Sequence, residues 1–155
     1  MATHELEREQ RFSRTPGELF PFFADAQNLS LITPEFLDFC ILSPMPMEMR
    51  TGARLDYRLR LLGMPVTWKT RIEAFDAPHA FVDTQIQGPY RLWTHTHSFE
   101  EVAGGTLMRD VVRYRLPYGP LGALAHALFI RRILNRIFDY RREALEQIFG
   151  DRVPA

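Results

Sequence analysis

The sequence has little of several features that mark particular classes of protein. Cys40 is its single cysteine, so no internal disulfide can form. Its 19 Lys and Arg residues are balanced by 19 Asp and Glu residues, which argues against a strongly basic surface for nucleic acid. The longest strongly apolar stretch, 121–130, is about half the ~20 residues that a membrane span needs. The polar first residues are unlike a secretory signal. We therefore expect a cytoplasmic protein with no nucleic-acid partner and no stable membrane insertion.

The chain does have the length and apolar content of one globular domain. It has 155 residues, 46% of them apolar, and a chain of this size buries roughly 70% of its unfolded surface. We expect residues 1–155 to form a single domain. The apolar periodicity changes twice along the chain, which divides it into three parts.

The first part predicts a strand followed by two short helices. Residues 5–12 alternate loosely in polarity, and Thr15 then has the properties of an N-cap for a helix that starts at Pro16. A second short helix, capped by Asn28 or Ser30, follows before the next proline.

In the middle part apolar residues recur at every second position, which predicts six further strands in an antiparallel meander. The clearest run is 53–61, where apolar and polar residues alternate. Cys40 lies in a short apolar run and is expected to be an inert core residue. Later strands are expected near residues 81–87, 91–101 and 106–116.

From residue 121 apolar residues recur every three or four positions, as in an α-helix, and they share one broad face as far as Gly150. This predicts one helix of about 30 residues, which is long for a globular protein. Its arginines are expected to be solvated; they are Arg131, Arg132, Arg136, Arg141 and Arg142. The whole order predicts an α+β fold, in which a curved antiparallel seven-stranded sheet surrounds the long helix. The space between these two layers is a natural internal cavity.

This order resembles the helix-grip fold of the START-like (SRPBCC) superfamily, and local sequence makes the resemblance more specific. The segments FVDTQIQGPYRLWTHTHSFE (81–100), TLMRDVVRY (106–114) and LPYGPLG (116–122) are similar to bacterial ligand-binding SRPBCC proteins described as polyketide cyclase/dehydrase-like. The resemblance covers residues 4–150. It implies the helix-grip fold and leaves the chemistry open, because lipid carriers, hormone receptors, cyclases and oxygenase domains share this scaffold.

Three neighbouring strands of the predicted sheet place polar side chains on its inner face. Period-two geometry puts His95 and His97 on one face together with the large aromatic Trp93, which indicates that this face points inward. Buried carboxylates must be paired or hydrogen-bonded, so we expect the inward polar groups to contact one another. These groups are Asp83, Gln85, His95, His97, Asp110 and Tyr114.

Three roles are open for these groups. They form a structural network from His to Asp to Tyr, or an acid–base set in which an aspartate fixes the tautomer of a histidine, or an anchor for the polar group of a ligand. The candidate acid–base residues are His95, Asp110 and Tyr114. The candidate ligand contacts are Tyr57, Trp68, Asp83, Gln85, Trp93, His95, His97 and Tyr114.

A metal site is the less favoured interpretation. The Cα atoms of His95 and His97 are expected to lie about 6.6 Å apart, so both imidazoles can reach one ion. Zinc needs at least three protein ligands, and Asp83 or Asp110 is the candidate for a third, since no other histidine lies in a ligand-spaced motif. We predict no metal. We also predict no cofactor, because phosphate-binding and dinucleotide-binding glycine motifs are absent from the sequence.

The leading functional hypothesis is the binding or carrying of a small hydrophobic or amphipathic molecule in the internal cavity. The second is a cyclase or dehydratase that acts on an aromatic or polyketide-like substrate by general acid–base catalysis. A third is a regulator whose bound ligand changes a partner surface. The expected partner is a small hydrophobic or lipid-like ligand, and a homodimer stays open. The apolar stretch 121–130 is the candidate for transient membrane contact.

Overall fold

The structure, a computed structural model, describes residues 2–150. Its first part contains strand β1 (His4–Phe12), helix α1 (Pro16–Ala24) and two 3₁₀ segments (Ala26–Ile32 and Glu35–Leu37). The next six strands are β2 (Cys40–Ile41), β3 (Arg54–Leu61), β4 (Met64–Asp76), β5 (Ala80–Gln87), β6 (Leu92–Val102) and β7 (Gly105–Arg115). Helix α2 (Gly119–Ala125), a π-helical turn (His126–Ile130) and helix α3 (Arg131–Phe149) follow. Residues 151–155 of the predicted domain lie outside the described residues.

The seven strands form one antiparallel sheet in the order β1-β7-β6-β5-β4-β3-β2. The β1 strand pairs with β7, with His4 opposite Tyr114, and the other strands pair with their neighbours in sequence. Between β4 and β5 the register shifts twice, and such bulges bend a sheet. The predicted α+β class and the curved seven-stranded sheet are confirmed.

The start of α1 follows from local sequence. Thr15 caps this helix as predicted, because its Oγ1 accepts a hydrogen bond from the Glu18 N–H at 3.2 Å. This bond satisfies one of the amide donors that the first helical turn leaves free. Pro16 occupies the first turn, where its missing N–H costs nothing.

Two expectations for the region after α1 are wrong. The second helical segment is a 3₁₀ helix capped by Asp25, which accepts a hydrogen bond from the Gln27 N–H at 3.0 Å. The caps expected at Asn28 and Ser30 are therefore not used, since the segment begins directly after α1. Cys40 is exposed rather than in the core, because β2 has two residues and lies at the edge of the sheet.

The C-terminal helix packs against the sheet, but it is interrupted where the sequence predicted one continuous helix. The Arg131 N–H donates to the His126 carbonyl oxygen, five residues back, which defines the π turn. Beyond this turn, α3 buries Leu134 and Phe138 in one apolar cluster and Leu145 in another. Among residues 2–150, no helix combines the length and apolar character required to cross a bilayer.

Candidate ligand-binding site

Two histidines and two aspartates, here called the His–Asp cluster, form a closed set of contacts on the inner face of β5, β6 and β7. His97 Nε2 lies 2.7 Å from Asp83 Oδ2, and His95 Nε2 lies 2.9 Å from Asp110 Oδ1. The other nitrogens face the opposite carboxylates, with His97 Nδ1 at 3.3 Å from Asp110 Oδ1 and His95 Nδ1 at 4.0 Å from Asp83 Oδ2. Each histidine therefore lies between both carboxylates.

Strand register explains this arrangement. Asp83 on β5 is the Cα partner of His95 on β6, and Asp110 on β7 is the Cα partner of His97. Each shorter hydrogen bond joins a histidine to the aspartate that is diagonal to it rather than directly opposite. The two imidazole rings stack with their centroids 3.6 Å apart.

Arg141 on α3 supplies a cation to the cluster from the helix side. Its Nη2 lies 3.3 Å from Asp110 Oδ1, and the Arg141 side chain is 10% exposed. Its guanidinium carbon also lies 5.5 Å from the centroid of the Phe23 ring. Sequence reasoning assigned Arg141 to the solvated face of the helix, and that prediction is wrong. The signal that could have found it is the spacing of Leu134, Phe138, Arg141 and Leu145, which places all four on one face.

The electrostatics of the cluster separate the two histidines. Burial lowers the pKa of His97, but hydrogen bonds to Asp110 and Asp83 outweigh it and hold the pKa above the ordinary value of 6.5. Burial also lowers the pKa of His95, the charge of His97 lowers it further, and the pKa stays below 6.5. His97 therefore keeps its proton to a higher pH than His95 does.

Both carboxyl groups are ionised. Burial works to raise the pKa of Asp110, but the Arg141 charge and the hydrogen bonds from both histidines hold it well below the ordinary value of 3.8. Burial likewise works to raise the pKa of Asp83, but the hydrogen bond from His97 and the charges of His95, His97 and Arg141 together outweigh it and lower the pKa below 3.8. The two carboxylates face the Arg141 guanidinium and His97, the imidazole with the raised pKa, so opposite charges compensate one another and the cost of burying them is reduced.

The His–Asp cluster forms one wall of a cavity of about 130 Å³, here called the polar cavity. Asp83, His95, His97 and Arg141 line one part of it, and the rest is lined mainly by apolar side chains of α1, the first 3₁₀ segment and the sheet, together with the polar residues Asp25, Asn28 and Thr70. A dry cavity of roughly 150 Å³ is large enough to bind benzene. The polar cavity therefore has room for a small ring or a short chain.

A second cavity of about 140 Å³, here called the aromatic cavity, adjoins the first. Its lining includes Trp68, Tyr90 and Phe138. The residues that border both cavities are Leu29, Ile32, Tyr57, Trp93, His95 and Arg141. These shared walls make the two cavities adjacent compartments, one with a charged wall and one that is lined mainly by aromatic and aliphatic side chains.

Outside the His–Asp cluster, three buried donors at these cavities have no hydrogen-bond partner among the described residues. They are Arg141 Nε, whose side chain borders both cavities, Thr70 Oγ1 on the polar cavity and Trp68 Nε1 on the aromatic cavity. A buried donor without an acceptor costs about 1–3 kcal/mol. These three atoms are therefore positions where an acceptor on a bound molecule gains free energy.

The structure places most of the predicted ligand contacts on the two cavities. Asp83, His95, His97, Trp93 and Tyr57 line the polar cavity. Trp68 lines the aromatic cavity, again with Tyr57 and Trp93. Asp110 lies behind the histidines as their hydrogen-bond partner.

Two predicted site residues lie elsewhere. Gln85 borders neither cavity; its amide donates to the Tyr90 carbonyl at 2.7 Å and accepts from the Tyr90 N–H at 3.1 Å, which fixes the turn before β6. The Tyr114 hydroxyl forms its hydrogen bond with His126 Nε2 at 2.8 Å. Tyr114 is four positions beyond Asp110 on β7, roughly 13 Å along the strand, so the expected His-to-Asp-to-Tyr network does not include this tyrosine.

One combination of these side chains has the composition of a metal site. Asp83, His95 and His97 each offer a ligand atom, and these atoms lie within 4.8 Å of one another. Two histidines and one carboxylate are a known ligand set for divalent iron. Here, however, a metal ion would compete with the proton on His97 and would add charge to a cluster that is already balanced. The absence of a metal stays a prediction.

Comparison with known proteins identifies the family. The sequence profile described as "Polyketide cyclase / dehydrase and lipid transport" matches residues 13–145. The chain belongs to this family. No curated protein matches the chain.

Several solved structures share the fold of this chain. A Mycobacterium smegmatis protein is 19% identical, with a TM-score of 0.67 over 94% of this chain and 90% of its own. A Chromobacterium violaceum protein is 11% identical, with a TM-score of 0.73 over 96% of this chain and 98% of its own. The major latex-like protein 151 of Panax ginseng is 11% identical, with a TM-score of 0.68 over 98% of this chain and 99% of its own. The helix-grip fold expected from the sequence is thus confirmed.

Proposed function

We propose that the protein binds a small amphipathic molecule across the polar and aromatic cavities. The observation that carries this proposal is a balanced, buried charge cluster that opens onto an apolar space. A polar group of the ligand lies against His97 and Arg141, and its apolar part lies among the aromatic side chains of the second cavity. The proposal takes residues 1–155 as one binding domain and the cytoplasm as its location.

The free donors indicate which chemistry the ligand carries. Arg141 Nε and Trp68 Nε1 are both N–H groups, and His97 keeps its proton to a higher pH than an ordinary histidine because hydrogen bonds that outweigh burial raise its pKa. Such a site favours an acceptor oxygen, such as a carbonyl, phenolate or carboxylate, at its polar end. Family membership agrees with this proposal, since the family description includes lipid transport.

Tryptophan fluorescence provides a direct test. The chain has 2 tryptophans, and both line the cavities. Titration with the amphipathic dye 1-anilinonaphthalene-8-sulfonate should give saturable energy transfer from tryptophan to the dye. Native mass spectrometry should show a defined number of dye molecules on the folded protein.

A matched pair of variants locates the binding. Ile32 borders both cavities and is 4% exposed, whereas its neighbour Leu31 is 53% exposed. Ile32→Phe adds bulk inside the cavities and should weaken dye binding at least tenfold. Leu31→Phe should bind the dye like the natural protein. Unchanged binding by Ile32→Phe would overturn the proposal, and Trp93→Phe supplies a second check if Ile32→Phe fails to fold.

Acid–base catalysis is the second candidate function. His97, whose pKa is raised, and His95, whose pKa is lowered, both lie on the wall of one cavity, which places a proton donor and a proton acceptor within reach of one ligand. A cyclase or dehydratase with an aromatic or polyketide-like substrate needs such a pair. His95→Gln separates the two candidates, because a catalyst should lose roughly 10²–10⁴-fold in rate, whereas a carrier should keep its affinity for the dye within a few fold.

A further inference from the structure

A set of large apolar side chains is exposed where the C-terminal helix begins. Their exposed fractions are 80% for Tyr118, 72% for Leu121, 56% for Leu124, 50% for Leu128 and 50% for Phe129. We call these five residues the α2 patch. Leu121, Leu124 and Leu128 are spaced by three and four positions, which places them on one side of the helix. Contiguous apolar surface of this kind marks an interaction site, unlike apolar residues that are exposed singly.

Along the chain, the charged residues that flank the α2 patch are all arginines. Between Val111 and Phe138 the sequence contains five arginines and no aspartate or glutamate. Arg131 and Arg132 directly follow the patch and are exposed. Within residues 2–150, neither of them forms an ion pair with a carboxylate. An apolar protein surface flanked by unpaired cations is complementary to a layer that has an apolar interior and an anionic exterior.

We propose that the α2 patch docks onto the surface of a membrane that contains anionic lipid. The side chains of the patch enter the boundary between headgroups and acyl chains, and Arg131 and Arg132 contact the lipid phosphates. The proposal does not depend on the identity of the cavity ligand.

Charge also argues against a second copy of the chain as the occupant of the patch. In a two-fold dimer the same surface faces itself. Arg131 and Arg132 of both copies would then lie close together, and the segment 111–138 offers no carboxylate to separate them. This repulsion between arginines does not arise when the α2 patch docks onto a bilayer with anionic headgroups.

The same helical segment also connects the patch to the ligand cavities. Ile130 packs on the apolar cluster that contains Trp68 and Trp93, and Leu134, one turn further, lines the aromatic cavity. Docking therefore places lipid on the outer side of a segment whose inner side borders the cavity.

Vesicle co-sedimentation tests the proposal. The full chain is mixed with vesicles of phosphatidylcholine alone, or of equal parts phosphatidylcholine and phosphatidylglycerol. We expect binding to the anionic vesicles, little binding to the neutral ones, and weaker binding at high salt. Failure to bind the anionic vesicles would overturn the proposal.

Three variants separate the contributions to binding. Leu121→Asp combined with Leu128→Asp should abolish binding, because it places carboxylates in the apolar patch. Arg131→Gln combined with Arg132→Gln should weaken binding about 25-fold, since each arginine near an anionic surface contributes about fivefold. The control, Leu62→Asp combined with Met64→Asp, changes two residues that are 63% and 66% exposed on the β3–β4 hairpin, and it should bind like the natural protein.

Two results would contradict this assignment. Equal binding by the natural protein and the Leu121→Asp/Leu128→Asp variant would exclude the α2 patch as the docking surface. Sedimentation velocity tests the other case. If the natural protein is a dimer and does not bind vesicles, and if the Leu121→Asp/Leu128→Asp variant is a monomer, then a second copy of the chain covers the α2 patch.

Discussion

Arg141 on α3 and Asp110 on β7 approach to 3.3 Å, Nη2 to Oδ1, and both side chains are almost fully buried. This contact joins the helix to the sheet through a pair of opposite charges. Removing the cation leaves Asp110 as a buried carboxylate with less compensation. A buried charge that loses its partner costs about 3–5 kcal/mol.

Arg141→Met should therefore lower the free energy of unfolding by about 3–5 kcal/mol. Urea denaturation measures the change, and exposed Arg132→Met is the matched control. Adding Asp110→Asn to Arg141→Met should recover part of the loss, because it removes the uncompensated charge. Equal stability of the Arg141 and Arg132 variants would show that the ion pair contributes nothing.

The pKa values of the two histidines of the cluster should be shifted in opposite directions from the ordinary value of 6.5. Burial and the His97 charge hold the pKa of His95 below 6.5, whereas hydrogen bonds to both aspartates outweigh burial and hold that of His97 above 6.5. Long-range ¹H–¹⁵N spectra recorded across a pH series measure both values, and His97→Gln assigns the signals. A lower pKa for His97 than for His95 would contradict the proposed electrostatics.

The same shifts predict how stability depends on pH. The folded-state pKa of His97 is raised, so its contribution is complete below 6.5 and is lost as the pH rises through the folded-state value. The pKa of His95 is lowered, so stability is lost as the pH falls from 6.5 toward its folded-state value. His97→Gln should flatten the decline on the alkaline side, and His95→Gln the decline on the acid side. Urea midpoints at a series of pH values test both.

Gly122 in α2 is required by a close backbone approach. A Cβ atom at this position would overlap the carbonyl oxygen of Pro117, whereas a Cβ at Gly17 in α1 has Thr15 Oγ1 at 3.9 Å as its nearest neighbour. Gly122→Ala should therefore lower the melting temperature. Gly17→Ala should raise stability by about 0.4–1 kcal/mol. Calorimetry of the pair tests this, and equal melting temperatures would contradict the close approach.

Strand periodicity was sufficient to predict which side chains face inward. His95, His97 and Asp110 are buried, as the alternation along β6 and β7 indicated. Periodicity does not specify which inward groups meet, because that depends on register and on distance along each strand. Tyr114 and Gln85 show this limit, since one bonds to a helical histidine and the other to a turn.

The helix shows a different limit. Hydrophobic character alone grouped Leu121 and Leu128 with Leu134 and Leu145 on one broad apolar face, but the first two are exposed and the other two are buried. It also predicted that Arg141 is solvated, because a buried arginine needs a partner that a single sequence does not reveal. Here that partner is Asp110, on a strand distant in sequence.

The π turn at His126–Ile130 sets the relative rotation of the two parts of the helix. A π turn holds one more residue than an α turn, and each residue rotates an α-helix by roughly 100°. Deleting one residue from this turn would rotate α2 against α3 by about that angle. Leu121 and Leu134 could then no longer keep their present directions together, one toward solvent and the other toward the cavity. The length of this short turn thus lets a single helix serve two different surfaces.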